Sequence, residues 1–140
     1  MIKDQLYGTK GARLILEGVE RHLEGKEKIN LDDESITVEH VMPQQLTGEW
    51  RATLGANCED IHRKYLHTWG NLTLTGRNPE LSNHDFMRKK DILKKSGIAM
   101  NRWIAEKESW GVAQILERGK WLASLAIKIW PGPNTASQSS

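Results

Sequence analysis

The sequence predicts an α-rich α+β domain in which helices surround a short two-stranded hairpin. Three observations carry that prediction. Apolar residues recur at helical spacing near both ends of the chain, two short β-prone runs lie between them, and 140 residues suffice for one hydrophobic core but not for two. The domain is therefore expected to span residues 1–133, with its central motif at 36–96, closing helices at 98–130 and a disordered Ser/Asn/Thr/Gln tail at 134–140.

The first helix is expected from Gly11 to Glu24. There Ala12, Ile15, Leu16, Val19 and Leu23 share one face, while Arg13, Glu17, Glu20 and Arg21 turn to solvent and Gly25 stops the helix. After a charged loop, Ile36-Thr37-Val38 is a β-branched run that places His40 at a strand end. Residues between Pro43 and Trp69 show no sustained period and read mostly as structured loop, with a short helix at 58–66 turning Ile61 and Tyr65 inward. Leu72-Thr73-Leu74-Thr75 alternates like a half-buried strand between Gly70 and Gly76, and should pair antiparallel with the first run.

Ser82 or Asn83 is the expected N-cap of a helix carrying Phe86, Lys89, Lys90, Leu93 and Lys94 up to Gly97. A shorter helix follows from Ile98 to Lys107. The most regular one runs from Gly111 to Trp130, with Val112, Ile115, Leu116, Leu122, Ala123, Ala126, Ile127 and Trp130 inward and Pro131 beyond its end. Of the six tryptophans, Trp103, Trp110, Trp121 and Trp130 are expected as core anchors. Trp50 and Trp69 have no clear assignment from sequence.

Composition excludes several classes. Cys58 is the only cysteine, so neither a disulfide framework nor a thiolate zinc site can be built within one chain. No apolar run approaches the roughly 20 residues of a membrane span, and the N-terminus lacks the apolar stretch of a signal peptide. The expectation is a cytoplasmic protein without a membrane partner. A net charge of +2 is too small to imply nucleic acid by itself.

The chemistry lies in Val38-Glu39-His40-Val41-Met42-Pro43-Gln44 and in Gly70-Asn71-Leu72-Thr73-Leu74-Thr75, followed by Asn78 and Asn83. Hydrolysing a phosphodiester needs a base for water, a cation for the developing charge, and ligands that leave that cation open positions. His40 suits the first role, and Glu39 with Asn78 the last, for a hard oxygen-loving ion such as Mg²⁺. Neighbouring strand residues face opposite ways, so Glu39 and His40 share a site only if the strand ends there. Asn71 also reads as turn chemistry, and Asn83 as a cap or, in place of Asn78, as the metal ligand, since spacing alone does not separate the two. His22 and His67 read as structural or surface residues, and His62 and His67 are spaced too far around a helix to chelate together. Arg88, Lys89, Lys90, Lys94 and Lys95, with Arg77 upstream, are a solvated helix face or, beside such a site, a phosphate track. His84 sits where it would touch a phosphate or simply be solvated.

The strings VEHVMPQ, WGNLTLT and NPELSNHDFMRKK, in that order, resemble the HNH nuclease domain of the domain-of-unknown-function 1524 family, the C-terminal part of GmrSD-type modification-dependent restriction proteins. The resemblance implies a ββα-metal (His-Me finger) core and endonuclease action on DNA in phage defence, dependent on Mg²⁺ with Mn²⁺ as a substitute. It implies His40 as general base, Asn71 as brace of the histidine loop, and Glu39 and Asn78 as metal ligands. Phe86 and Lys89 match the family's helix, and Trp110, Ile115, Arg118, Leu122 and Ile129-Trp130-Pro131 its closing helix. It further implies an upstream ParB-like nucleotide-binding, modification-sensing domain (domain of unknown function 262) in a longer parent protein. A DNA-gripping but inactive relative, or an RNase or toxin of the same fold, are the rival readings.

Overall fold

The computed structural model describes residues 9–23, 36–76, 81 and 84–130. Among these, six helices and one antiparallel pair of strands follow in the order α1 (Thr9–Leu23), β1 (Thr37–His40), α2 (Gly48–Leu54), α3 (Cys58–Tyr65), a 3-10 turn (Trp69–Asn71), β2 (Leu72–Thr75), α4 (Phe86–Lys94), α5 (Ala99–Ala105) and α6 (Val112–Ile129). The fold is α+β, as the sequence predicts. The expected tail lies outside the described residues.

The hairpin pairs Thr37 with Thr75, Val38 with Leu74, Glu39 with Thr73 and His40 with Leu72. Contrary to the half-buried expectation, β2 is buried on both faces. That burial is tolerable because its polar side is satisfied: Thr73 Oγ1 donates to Asn101 Oδ1 at 2.5 Å, and Asn101 Nδ2 donates to the Leu74 carbonyl at 2.8 Å. Leu72 and Leu74 join Leu16, Val19, Met100 and Leu122 in a core formed by α1, the hairpin, α5 and α6. A second cluster, built on Met42, Trp50, Phe86, Leu93, Ile104 and Trp110, fills the space under the segment that follows β1.

In α1 Ala12, Leu16 and Val19 are buried, but two of the carboxylates expected in solvent are buried with them. Glu17 accepts from Arg13 Nε at 2.6 Å. Glu20 accepts the backbone N–H groups of Ala99 and Met100 at 2.7 and 3.1 Å, supplying from another helix the cap that α5 lacks at its own Ile98. Burial raises the Glu20 pKa, and the two N–H bonds and Arg102 work against that rise.

Helix α2 appears where the sequence suggested loop. Thr47 caps it by accepting the Trp50 N–H at 3.3 Å, and Gly55, at φ 89°, ends it in a conformation only glycine adopts cheaply. Trp50 is the residue that fixes this helix, fully buried and with its indole N–H donating to the His84 carbonyl at 2.8 Å. Helix α4 is capped by Asp85, whose carboxylate accepts the Arg88 N–H at 3.3 Å, and not by Ser82 or Asn83, which lie outside the described residues.

Helix α6 is rotated relative to the expected face. Ile115, Arg118, Leu122 and Leu125 make the buried stripe, leaving Leu116, Ile127 and Trp130 substantially exposed. Trp130 instead lies over Gly18 of α1, where a Cβ would come within 2.2 Å of its ring. Trp110 is buried, whereas Trp103 and Trp121 are half-buried and stack on each other at 5.4 Å. Gly70 meets α6 so closely that a Cβ would sit 2.1 Å from the Ile115 carbonyl oxygen. Arg118 Nη1 crosses the same contact to donate to the carbonyls of Trp69, Gly70 and Leu72 at 3.3, 3.2 and 2.5 Å.

Candidate active site

His40 closes β1 and is 8% exposed. One side of its ring meets His67, with Nε2 3.2 Å from His67 Nδ1 and the two rings edge to face. The other side meets Gln44, whose Nε2 lies 3.4 Å from His40 Nδ1. Burial first, then the nearby His67, Lys89 and His62, lower the His40 pKa to about 4, so the ring is neutral at physiological pH and able to accept a proton.

The backbone around this imidazole is pinned from three directions. Asn71 Oδ1 accepts the Met42 N–H at 2.8 Å, and its Nδ2 donates to the carbonyls of Met42 and Leu66, both at 3.0 Å. The Trp110 indole N–H donates to the same Oδ1 at 3.1 Å, and the Asn71 carbonyl accepts the Val41 N–H at 2.9 Å. A fully buried carboxamide thus uses both ends to tie the segment after His40 to the entry of β2. Asn71 touches backbone and indole, so it acts by positioning. His62 supports the same segment, donating from Nε2 to the Pro43 carbonyl at 2.8 Å.

Lys89 supplies the third fixing point from α4. Its ammonium spends its three hydrogens on Glu39 Oε2 at 3.0 Å and on the carbonyls of His40 and Val41, each at 2.9 Å. Burial pushes the Glu39 carboxyl up and the Lys89 ammonium down, while each charge draws the other partly back. This ion pair corrects one expectation. Lys89 is fully buried and so cannot belong to a phosphate track; it is the post under the histidine segment. Glu39 faces that post and pairs with it through Oε2 at 3.0 Å.

The other candidates separate in the same way. Arg77, Asn78 and Asn83 lie outside the described residues. Arg88, Lys94 and Lys95 are exposed and Lys90 is half-buried on α4. At about 100° per residue, Arg88 and Lys95 fall together on one flank and Lys90 and Lys94 on the other, with Asp91 and Met87 between the pairs. The cations therefore form two flanks in place of one continuous stripe. His84 is exposed, and its carbonyl is held by Trp50. The residue sequence reasoning missed is His67, read as structural or surface. It follows the end of α3 and reaches His40 across 27 positions of chain, a contact that helical spacing alone does not reveal.

A hard cation needs oxygen donors. Around His40 the described side chains offer mostly imidazole nitrogen and carboxamide, and the adjacent carboxylate is bound by Lys89. No group of three or more His, Cys, Asp or Glu able to hold an ion occurs among the described residues.

A histidine ending the first strand, a second strand entered through Gly70-Asn71, and a helix that reaches back under the histidine make an HNH-type ββα arrangement. The chain belongs to the family described as GmrSD restriction endonucleases, C-terminal domain, whose model matches residues 2–125. The domain is thus of restriction-endonuclease type, drawn from the C-terminal part of larger restriction proteins. No curated protein matched the chain. No helix among the described residues is long and apolar enough to cross a membrane.

Proposed function

We propose that this chain hydrolyses DNA phosphodiesters, with His40 taking a proton from the attacking water. The observation that carries the proposal is the buried imidazole at the end of β1, its backbone held by Asn71 and Lys89. Water oxygen bonds to phosphorus as the bond to the leaving oxygen breaks. The water proton passes to His40, and the leaving oxygen takes a proton from solvent. A ring with so low a pKa is fully available but weakly basic, and the negative phosphate beside it offsets that weakness by stabilising the imidazolium as it forms.

We further propose that cleavage requires a divalent cation, Mg²⁺ with Mn²⁺ as a substitute, with Glu39 and Asn78 among its ligands as the family resemblance implies. Arg88, Lys90, Lys94 and Lys95, together with Arg77, would contact the DNA backbone, and discrimination would reside in the ParB-like sensor domain of the parent protein. Incubating the chain with supercoiled plasmid and, separately, with RNA tests the reading, each with Mg²⁺, with Mn²⁺ and with excess EDTA. Nicked or linear plasmid that requires the cation, and its loss in His40→Ala, is the expected result. Cleavage of RNA alone would overturn the DNA assignment, undiminished cleavage in EDTA the cation assignment, and wild-type rates in His40→Ala the base assignment.

A further inference from the structure

We infer that His67 is a positioning residue for the reaction: it fixes the tautomer of His40, so that Nδ1 is the atom that takes the proton and Nε2–H is the end that is held. The inference rests on His40 being the base proposed above. Its geometry comes from the two neighbours on opposite edges of one ring. Gln44 presents its NH₂ to His40 Nδ1 at 3.4 Å, and an amide nitrogen can only donate, so Nδ1 carries the lone pair. A neutral imidazole with a bare Nδ1 keeps its hydrogen on Nε2, and that hydrogen points to His67 Nδ1, 3.2 Å from His40 Nε2, which must then accept. The tautomer of each ring follows from the other. On this assignment the hydrogen of His67 belongs on its Nε2; its half-buried place just past the end of α3 is set by the turn that leads into Gly70-Asn71.

The arrangement gives each contact a chemical meaning. The Gln44 NH₂ occupies the edge of His40 to which the attacking water's O–H would donate, so it stands in for that water and must swing aside when substrate arrives. The held edge keeps the ring from rotating or exchanging its hydrogen. When Nδ1 takes the proton, Nε2–H becomes a charged donor and its bond to His67 strengthens. An accepting nitrogen there is worth most in the transition state, so its loss should appear in kcat and leave KM nearly unchanged.

Long-range ¹H–¹⁵N correlation spectra of the histidine rings at neutral pH read the tautomers directly. Steady-state cleavage by His67→Ala and His67→Asn then reads their consequence. The expected spectrum has His40 protonated on Nε2 and bare on Nδ1. His67→Ala should lose on the order of a hundredfold in kcat with KM within twofold, while His67→Asn, whose side-chain oxygen can still accept, should keep most of the rate. A wild-type His40 protonated on Nδ1 would overturn the inference, as would His67→Ala with wild-type kcat, or His67→Asn as inactive as His67→Ala. Should His67→Ala fail to fold, the wild-type spectrum and His67→Asn still decide. A wild-type chain that cuts nothing would instead remove the nuclease reading, and the ring spectra would stand apart from it.

Discussion

Lys89 shows how one side chain can hold the backbone of a candidate site from beneath. A buried ammonium with all three hydrogens taken is neutral in effect, but removing either partner strands a charge. Lys89→Met should destabilise the domain by about 3–5 kcal/mol, and combining it with Glu39→Gln should recover much of that loss. Urea unfolding of the two single variants and the double variant measures this, and strict additivity would deny the pairing. His40 carries a pH signature. Its folded-state pKa of about 4 lies below the ordinary 6.5, so between those values the unfolded chain binds more protons. The stability it contributes is complete above about pH 6.5 and is lost as the pH falls toward 4. Glu20 and Glu39, raised by burial, act oppositely in the acid range, so the test is the difference between wild type and His40→Gln. The wild type should lose melting temperature more steeply between pH 7 and pH 4.5; parallel curves would refute the depressed pKa.

At the scale of the elements, the long amphipathic helices α1 and α6, the pairing of the two β-prone runs and the order of the motifs were legible in the sequence, because periodicity and β-branching are local signals. What was not legible depended on partners far along the chain. Glu20 looked like a solvent residue because its ligands, the N–H groups of Ala99 and Met100, lie 79 and 80 positions away. Arg118 left the inner face of α6 looking rotated, since a buried guanidinium there makes sense only beside the carbonyls of Trp69, Gly70 and Leu72. Helix α2 was too short to show a period, and its one sequence signal was the Thr47 cap before Gly48. Glu20→Ala should cost about 1–2 kcal/mol, the usual range for a lost N-terminal cap, and increase amide exchange in α5 first; uniform exchange would deny the capping role. Gly70→Ala should be far worse, because the added carbon must displace the backbone of α6 at Ile115. A melting temperature indistinguishable from wild type would show that this close approach is soft.

For the whole molecule, the division of Arg88 and Lys95 from Lys90 and Lys94 sets an expectation for DNA affinity. Replacing these four with glutamine should flatten the dependence of log affinity on log salt by up to about 3–4 units, near one for each phosphate no longer neutralised. An unchanged slope would leave them as a solvated helix surface. Lys89 stays out of that set, since its substitution would act through unfolding. With backbone-contacting cations and a histidine as its recognisable parts, the chain alone should cut modified and unmodified plasmid of one sequence at similar rates. A strong preference for either would place the sensor within this domain.

The reach of Lys89 also bears on when, during synthesis, the proposed activity could first arise. The bonds that hold His40 close over 27 positions to His67, 29 from Asn71 to Met42, 39 from Trp110 to Asn71 and 50 from Lys89 to Glu39. A nascent chain that has exposed the histidine, but not yet the lysine and the tryptophan, lacks two of the bonds that hold the segment around it. Non-local pairings of this kind form late. On the proposed activity, arming would be deferred until most of the chain has left the ribosome, and prematurely terminated products that end before Lys89 would carry the histidine without its bonds from Lys89 and Trp110.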